Sequence, residues 1–221
     1  VWMSNPTWPN HPAMVKGVGI PMETYTYLNM ETRTVDFDGM MKNLANVKAG
    51  DVVILHGCCH NPTGANLSHM QWCEVAALLN EKGAVPFVDI AYQGFGDGLD
   101  EDAFGVRLLA QKCPEMLISA SCSKNFGIYR ERCGLVITLS KDVDNTALAQ
   151  GMLSSLNRLN FSFPPDHGAR LVTMVLSDSE LRADWEAELE EVRIGMLNLR
   201  KLLADALRTT TGSDRYDFIA E

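Results

Sequence analysis

Val52-Val53-Ile54-Leu55 is an unbroken apolar run between Gly50-Asp51 and Gly57. Its length and flanks are those of a strand buried on both faces. Helical spacing follows over 68–82, where Ser68 and Gln71 offer a capping box and Gly83 a stop. Val85-Pro86-Phe87-Val88 reads as the next strand, ending at Asp89, its proline weakening the assignment. A helix over 102–112 leads to Met116-Leu117-Ile118-Ser119-Ala120, and Gly134-Leu135-Val136-Ile137-Thr138-Leu139 is a further strand. The N-terminal part begins as the end of a strand running into a turn. It continues with a short helix over 12–18, an alternating strand Glu23-Thr24-Tyr25-Thr26-Tyr27, and a helix from Asp36 to about Asn46. Helices over 145–158 and 167–176 flank Pro164-Pro165.

The last pattern is the longest. Leu181, Trp185, Leu189, Val192, Met196, Leu199 and Leu203 recur at spacings of three and four, predicting an amphipathic helix over 179–208. Strands interleaved with helices predict an α/β fold: a mixed, largely parallel sheet with helices on both faces. The expected organisation is a large domain over 1–178, incomplete at its N-terminus. A linking helix and the start of a truncated second domain follow over 179–221.

The 221 residues are 46% hydrophobic, enough for a substantial core, and carry a net charge of −9. That charge argues against a nucleic acid or an anionic membrane as partner. It does not exclude small anions, because one local arginine can dominate a pocket. No apolar run is long enough to predict a transmembrane helix, and the N-terminus does not resemble a signal peptide. The six cysteines contain no C-x-x-C pair, so reduced thiols in the cytoplasm are the simplest account.

In an open α/β sheet the binding crevice lies outside the carboxyl ends of the strands. Asn61, Asp89, Tyr92 and Lys124 all follow predicted strand ends. Lysine can condense with an aldehyde, and an aspartate facing a pyridine nitrogen keeps such a cofactor electron-withdrawing. Most lysines are simply solvated, but Lys124 has Ser121 and Ser123 close by and Arg132 soon after. Hydroxyls with an arginine are the groups that hold a phosphate dianion.

Each of these residues has an ordinary reading as well. Asp89 alone could cap a turn, and Tyr92 and Trp8 could simply pack. Asn61-Pro62-Thr63-Gly64 alone is a turn. His11 is a candidate supporting donor to Asp89, though lone histidines are more often structural. Arg158 could stabilise a helix C-terminus or receive a substrate carboxylate. Cys58-Cys59-His60 is rejected as a metal site, since no second ligand pair has matching spacing.

With these residues in place, the chain closely resembles class I aminotransferases of fold type I, in the aspartate/aromatic branch. The resemblance is carried by Asn5-Pro6-Thr7-Trp8-Pro9-Asn10-His11, Asp51 through Gly64, and Asp89-Ile90-Ala91-Tyr92-Gln93-Gly94-Phe95. Ser121-Cys122-Ser123-Lys124-Asn125-Phe126-Gly127 through Glu131-Arg132, and Pro164-Pro165 with Gly168-Ala169, complete it.

The resemblance implies pyridoxal 5′-phosphate as cofactor. Lys124 would be its point of attachment and proton shuttle, Asp89 the partner of the ring nitrogen, and His11 a support behind Asp89. Tyr92 and Asn61 would contact the ring oxygen, and Trp8 would stack on the ring. Ser121, Ser123 and Arg132 would hold the phosphate. Arg158 would bind the distal carboxylate of a dicarboxylic substrate in a neighbouring subunit, which implies a homodimer with shared sites.

The implied reaction moves an amino group between an amino acid, aspartate or aromatic, and a 2-oxo acid such as 2-oxoglutarate. The family's glycine-rich phosphate loop and dimer-crossing tyrosine are expected before Val1, and its α-carboxylate arginine beyond Glu221. The competing expectation is therefore an incomplete chain that binds cofactor or dimerises without turnover, and another reaction on the same cofactor, such as β-elimination, is a third. Phe163 replaces a small polar amide usual in aspartate-selective members, a hint of a broader pocket.

Overall fold

The computed structural model of the chain describes residues 1–220. Its strands are β1 (Trp2–Asn5), β2 (Glu23–Thr26), β3 (Val52–His56), β4 (Val85–Ile90), β5 (Met116–Ser121) and β6 (Gly134–Leu139). They form one sheet in the order β2-β1-β3-β4-β5-β6. The first five run parallel and β6 lies antiparallel to β5. The helices are α1 (Asn10–Gly17), α2 (Phe37–Leu44), α3 (His69–Lys82), α4 (Phe104–Lys112), α5 (Val143–Phe161), α6 (His167–Ser177) and α7 (Ser179–Thr211). The fold is thus the α/β arrangement of a mixed, largely parallel sheet flanked by helices. No helix among the described residues is long and apolar enough to cross a membrane.

The apolar runs build one core. Val53 and Leu55 of β3, Val88 and Ile90 of β4 and Ile118 of β5 pack with Met40, Leu44, Trp72, Val75, Leu79 and Leu109 from α2, α3 and α4. Burying each aliphatic side chain of this kind contributes roughly 1.5–3 kcal/mol. Alternation along the strands sends the intervening residues to the opposite face. There the parallel register sets His56 beside Asp89 and Asp89 beside Ser119. One row of polar side chains therefore crosses three strands.

Local signals place the ends of α3. The Ser68 hydroxyl accepts from the N–H of Gln71, the Gln71 side chain accepts from the N–H of Ser68, and Gly83 closes the helix at φ +64°. Pro86 lies in a central strand rather than a marginal one. The N–H of Val85 donates to Asp51 on the β3 side, so the nitrogen of Pro86 faces β5. Pairing with β5 begins only at Phe87, so the missing donor has no ladder bond to lose.

The helix expected over 102–112 begins at Phe104. Asp102 is buried and its carboxylate accepts from the N–H groups of Gly94, Gly96 and Asp97 at 2.8, 3.0 and 2.9 Å. It fixes the loop after β4 instead of starting a helix.

The long helix α7 docks through buried Leu189. Trp185 of α7 donates from its indole nitrogen to the Asn125 carbonyl at 2.7 Å and stacks on Phe126 at 4.4 Å. Leu199, Leu202 and Leu203 on its later turns are exposed.

Candidate active site

Order reverses at β1, whose neighbours β2 and β3 lie on opposite sides. Such a switch point opens a crevice at the carboxyl ends of the strands. The loops after β1, β3, β4 and β5 meet there around a cavity of about 360 Å³. Trp8, Asn61, Asp89, Tyr92, Ser121, Ser123, Lys124 and Arg132, eight residues singled out from sequence, all line it.

Asp89 terminates the apolar run of β4 and is held from two sides. Ser119 donates to Oδ1 at 3.4 Å, and His11 Nε2 lies 2.8 Å from Oδ2. The relay behind this contact can be traced through its tautomers. The backbone N–H of Asn61 donates, at a long 3.5 Å, to Nδ1 of His56, so Nε2 of a neutral His56 carries the proton. That nitrogen lies 3.2 Å from Thr7 Oγ1, which lies 3.1 Å from Nδ1 of His11. Thr7 has one hydroxyl proton; accepting from His56, it donates to His11. Nε2–H of His11 is then left to donate to Asp89.

Burial, reinforced by neighbouring His11, pushes the pKa of His56 down to about 4 and supports the neutral ring this relay requires. His60 is lowered further, to about 2, chiefly by burial. Its Nε2 meets Ser4 Oγ at 2.9 Å and its Nδ1 meets Thr63 Oγ1 at 2.8 Å.

Lys124 follows β5, and its amine sits 4.7 Å from the centroid of the Tyr92 ring. Asn61 donates from Nδ2 to the Tyr92 hydroxyl at 3.4 Å. Trp8 stands edge-on to His11, with centroids 5.3 Å apart. Asp89 and Lys124 thus border one cavity on one face of the sheet.

Ser123 is buried, and its hydroxyl accepts from Arg132 Nη1 at 3.4 Å. Ser121 accepts from the N–H of Ser123 at 3.2 Å. Arg132 has a left-handed backbone at φ +51°, and its Nη1 also donates to the Tyr129 carbonyl at 3.0 Å. The anion end is thus a corner holding one guanidinium and two hydroxyls.

Arg158 is not brought to this cavity. It lies in the last turn of α5, donating from Nη1 to Ser162 Oγ at 2.7 Å, with its guanidinium 4.9 Å from the Phe163 ring centroid. Sequence reading missed Thr7, His56 and Ser119, which support Asp89, and Tyr129, which lines the wall. The clue available for His56 and Ser119 was strand alternation, which puts both on the face of Asp89.

This donor set tests well against pyridoxal 5′-phosphate. A lysine amine, a carboxylate braced by imidazole, a phenol with an amide, and a cationic corner with hydroxyls match its aldehyde, ring nitrogen, ring oxygen and phosphate. The volume lies in the usual range for small cofactors, roughly 300–1,000 Å³. Fold and site together define a pyridoxal-phosphate protein.

The chain belongs to the family described as aminotransferase class I and II, which matches residues 1–219. It is 59% identical over 221 residues to the aromatic-amino-acid aminotransferase of Paracoccus denitrificans, covering 100% of this chain and 56% of that protein. It is 42% identical over 219 residues to the aspartate aminotransferase of Escherichia coli (strain K12), covering 99% and 55%. Among solved structures, it is similar to an aromatic-amino-acid aminotransferase from Burkholderia pseudomallei covalently bound to pyridoxal phosphate. The TM-score is 0.96 at 38% identity, covering 99% of this chain and 55% of that one. The chain therefore spans a little over half the length of the relatives it matches.

Proposed function

We propose that the protein carrying this chain is an aminotransferase. It moves an amino group between an amino acid, aspartate or aromatic, and a 2-oxo acid such as 2-oxoglutarate. The observation that carries the reading is the gathering of Lys124, Asp89, Tyr92, Asn61 and the Ser121–Ser123–Arg132 corner around one cavity. When bound, pyridoxal phosphate supplies an aldehyde for amine exchange and a ring that accepts electron density from the substrate α-carbon.

The chain's own residues do the rest. Lys124 would be the attachment point and the base that takes a proton from the substrate α-carbon and delivers it to the cofactor's aldehyde carbon. Asp89 receives the ring nitrogen's N–H, and His11 keeps the carboxylate aimed. Asn61 and Tyr92 hold the ring oxygen, and Trp8 covers one ring face. Ser121, Ser123 and Arg132 bind the phosphate, Arg132 as the charged donor.

Arg158 lies outside this cavity, and we assign it to the site of a second copy, where it receives a distal carboxylate. A homodimer is the implied assembly. Exposed Val143, Leu148, Met152, Leu156 and Leu159 on α5 are apolar surface of the kind a partner covers. Six free cysteines suit the reducing cytoplasm.

The higher identity to the relative named for aromatic amino acids and the bulk of Phe163 support aromatic substrates beside aspartate. Lys124→Ala in the full-length protein tests the reading. It is expected to abolish the cofactor's protein-bound absorption band and turnover together, and retained turnover would defeat it.

A further inference from the structure

Cys122 and Cys133 face each other across the β5–β6 ladder, one step past its last paired residues, Ser121 and Gly134. The N–H of Cys122 donates to the C=O of Cys133 at 3.0 Å, which sets the two residues directly opposite each other. Both are free and half-buried. Neither takes part in the chemistry assigned above. Their chain neighbours do: Ser121 and Ser123 bracket Cys122, and Arg132 precedes Cys133.

We propose that Cys122 and Cys133 form a reversible thiol–disulfide site that controls the anion end of the cavity. Its reactant is a low-molecular-weight disulfide, R–S–S–R. One cysteine sulfur attacks it, forming a mixed disulfide and releasing R–SH. The second cysteine then attacks the protein-side sulfur and releases the second R–SH. Two protein thiols are oxidised to one disulfide, the reagent is reduced to two thiols, and the two protons leave with them.

The position makes this bond consequential. Directly opposed residues of an antiparallel pair hold their Cβ atoms about 4.5–5.5 Å apart, with the wider spacing at hydrogen-bonded pairs. A disulfide needs roughly 3.5–4.5 Å. Closure draws the two segments together at the end of the ladder, one step past the last strand pair, where the Cys122–Cys133 backbone bond joins them. The 3.4 Å contact between Arg132 and Ser123 spans those segments, and ligand donors must be placed to within about 0.5 Å.

A bond formed under such strain is also readily reduced. Burial and the adjacent Cys133 push the Cys122 thiol up to about 11. Closure is therefore slow at neutral pH and quickens as pH rises. Control of the anion end rests on the reading of Ser121, Ser123 and Arg132 as phosphate ligands; the bond itself does not.

The test treats the full-length protein with oxidised glutathione at neutral and alkaline pH. It maps cross-links by non-reducing peptide mass spectrometry and titrates inorganic phosphate and cofactor. The expected result is a Cys122–Cys133 cross-link, faster at alkaline pH and reversed by dithiothreitol. Phosphate affinity is expected to fall about fivefold or more. Cys133→Ser, or Cys122→Ser should the first fold poorly, is expected to bind normally and resist the oxidant.

Glutathione left on separate cysteines, or no cross-link, overturns the site. A cross-link with unchanged phosphate affinity overturns the control, provided reduced Arg132→Ala binds phosphate weakly. If Arg132→Ala binds phosphate normally, the phosphate reading fails instead and takes the control with it.

Discussion

The ring of His60 lies on the ring of Tyr27, with centroids 3.7 Å apart and planes 13° from parallel. Both side chains are buried, and the tilted ring of His56 follows at 4.3 Å. Burial is the largest cause for each ring, outweighing for His56 the neighbouring Asp89 carboxylate, so both histidines fold as neutral groups.

That neutrality sets an acid limit on stability. The pKa of His56 is lowered from 6.5 to about 4 and that of His60 to about 2, each chiefly by burial. Below pH 6.5 the unfolded chain takes up protons that the folded chain refuses, so stability is full above that value and falls with pH. For His56 the loss stops near pH 4, where the folded state also binds, and amounts to roughly 3 kcal/mol. Urea unfolding across this window is expected to show the decline, and His56→Asn a shallower one. Equal slopes would reject the assignment.

Much of this architecture was legible because its signals are local. Val52-Val53-Ile54-Leu55, the Ser68–Gln71 box and Gly83 lie within a few residues of one another, and the structure keeps them where the pattern put them. Strand ends located Asp89 and Lys124 for the same reason. Strand direction was not legible. The run Gly134–Leu139 reads the same whichever way it is laid down, and it lies antiparallel to β5. The supports of Asp89 were equally hidden, since Thr7 and His56 are 49 residues apart and meet only through strand order. Asp102 looked like a helix start and is instead the acceptor that organises the 94–97 loop.

Thr7 offers a sharper test of the relay. Thr7→Val keeps the shape and removes the hydroxyl, leaving Nδ1 of His11 and Nε2 of His56 without their shared partner. An unpaired buried polar group costs about 1–3 kcal/mol. We expect a stability loss of that order together with weaker cofactor binding, and rescue of both by Thr7→Ser. A Thr7→Ser protein as impaired as Thr7→Val would refute the hydroxyl's role.

Gly105 marks a close approach between α4 and the core. A Cβ built there meets the indole ring of Trp72 at 2.5 Å, and Trp72 is buried between α3 and α4. Gly105→Ala should cost about 1–3 kcal/mol by overpacking, although alanine is the better helix former. Denaturant titration decides, and a neutral or stabilising result would mean that the two helices can separate.

Arg158 carries the prediction that separates substrate from scaffold. Its guanidinium is held by Ser162 and Phe163 outside the cavity of its own chain, so its removal leaves the local cofactor site intact. Charge-assisted contacts to a carboxylate contribute about 1.5–3 kcal/mol. Arg158→Ala should therefore lower kcat/KM for aspartate by about tenfold or more while sparing an aromatic substrate. Mixing then tests where the arginine acts. In a hybrid of Arg158→Ala and Lys124→Ala subunits, one site joins an intact lysine to an intact arginine from the other chain. Aspartate turnover should return in the hybrid, although it is weak in the Arg158→Ala parent and absent in the Lys124→Ala parent. If it does not return, or if both substrates suffer equally in Arg158→Ala alone, Arg158 is not a carboxylate receptor for a second copy.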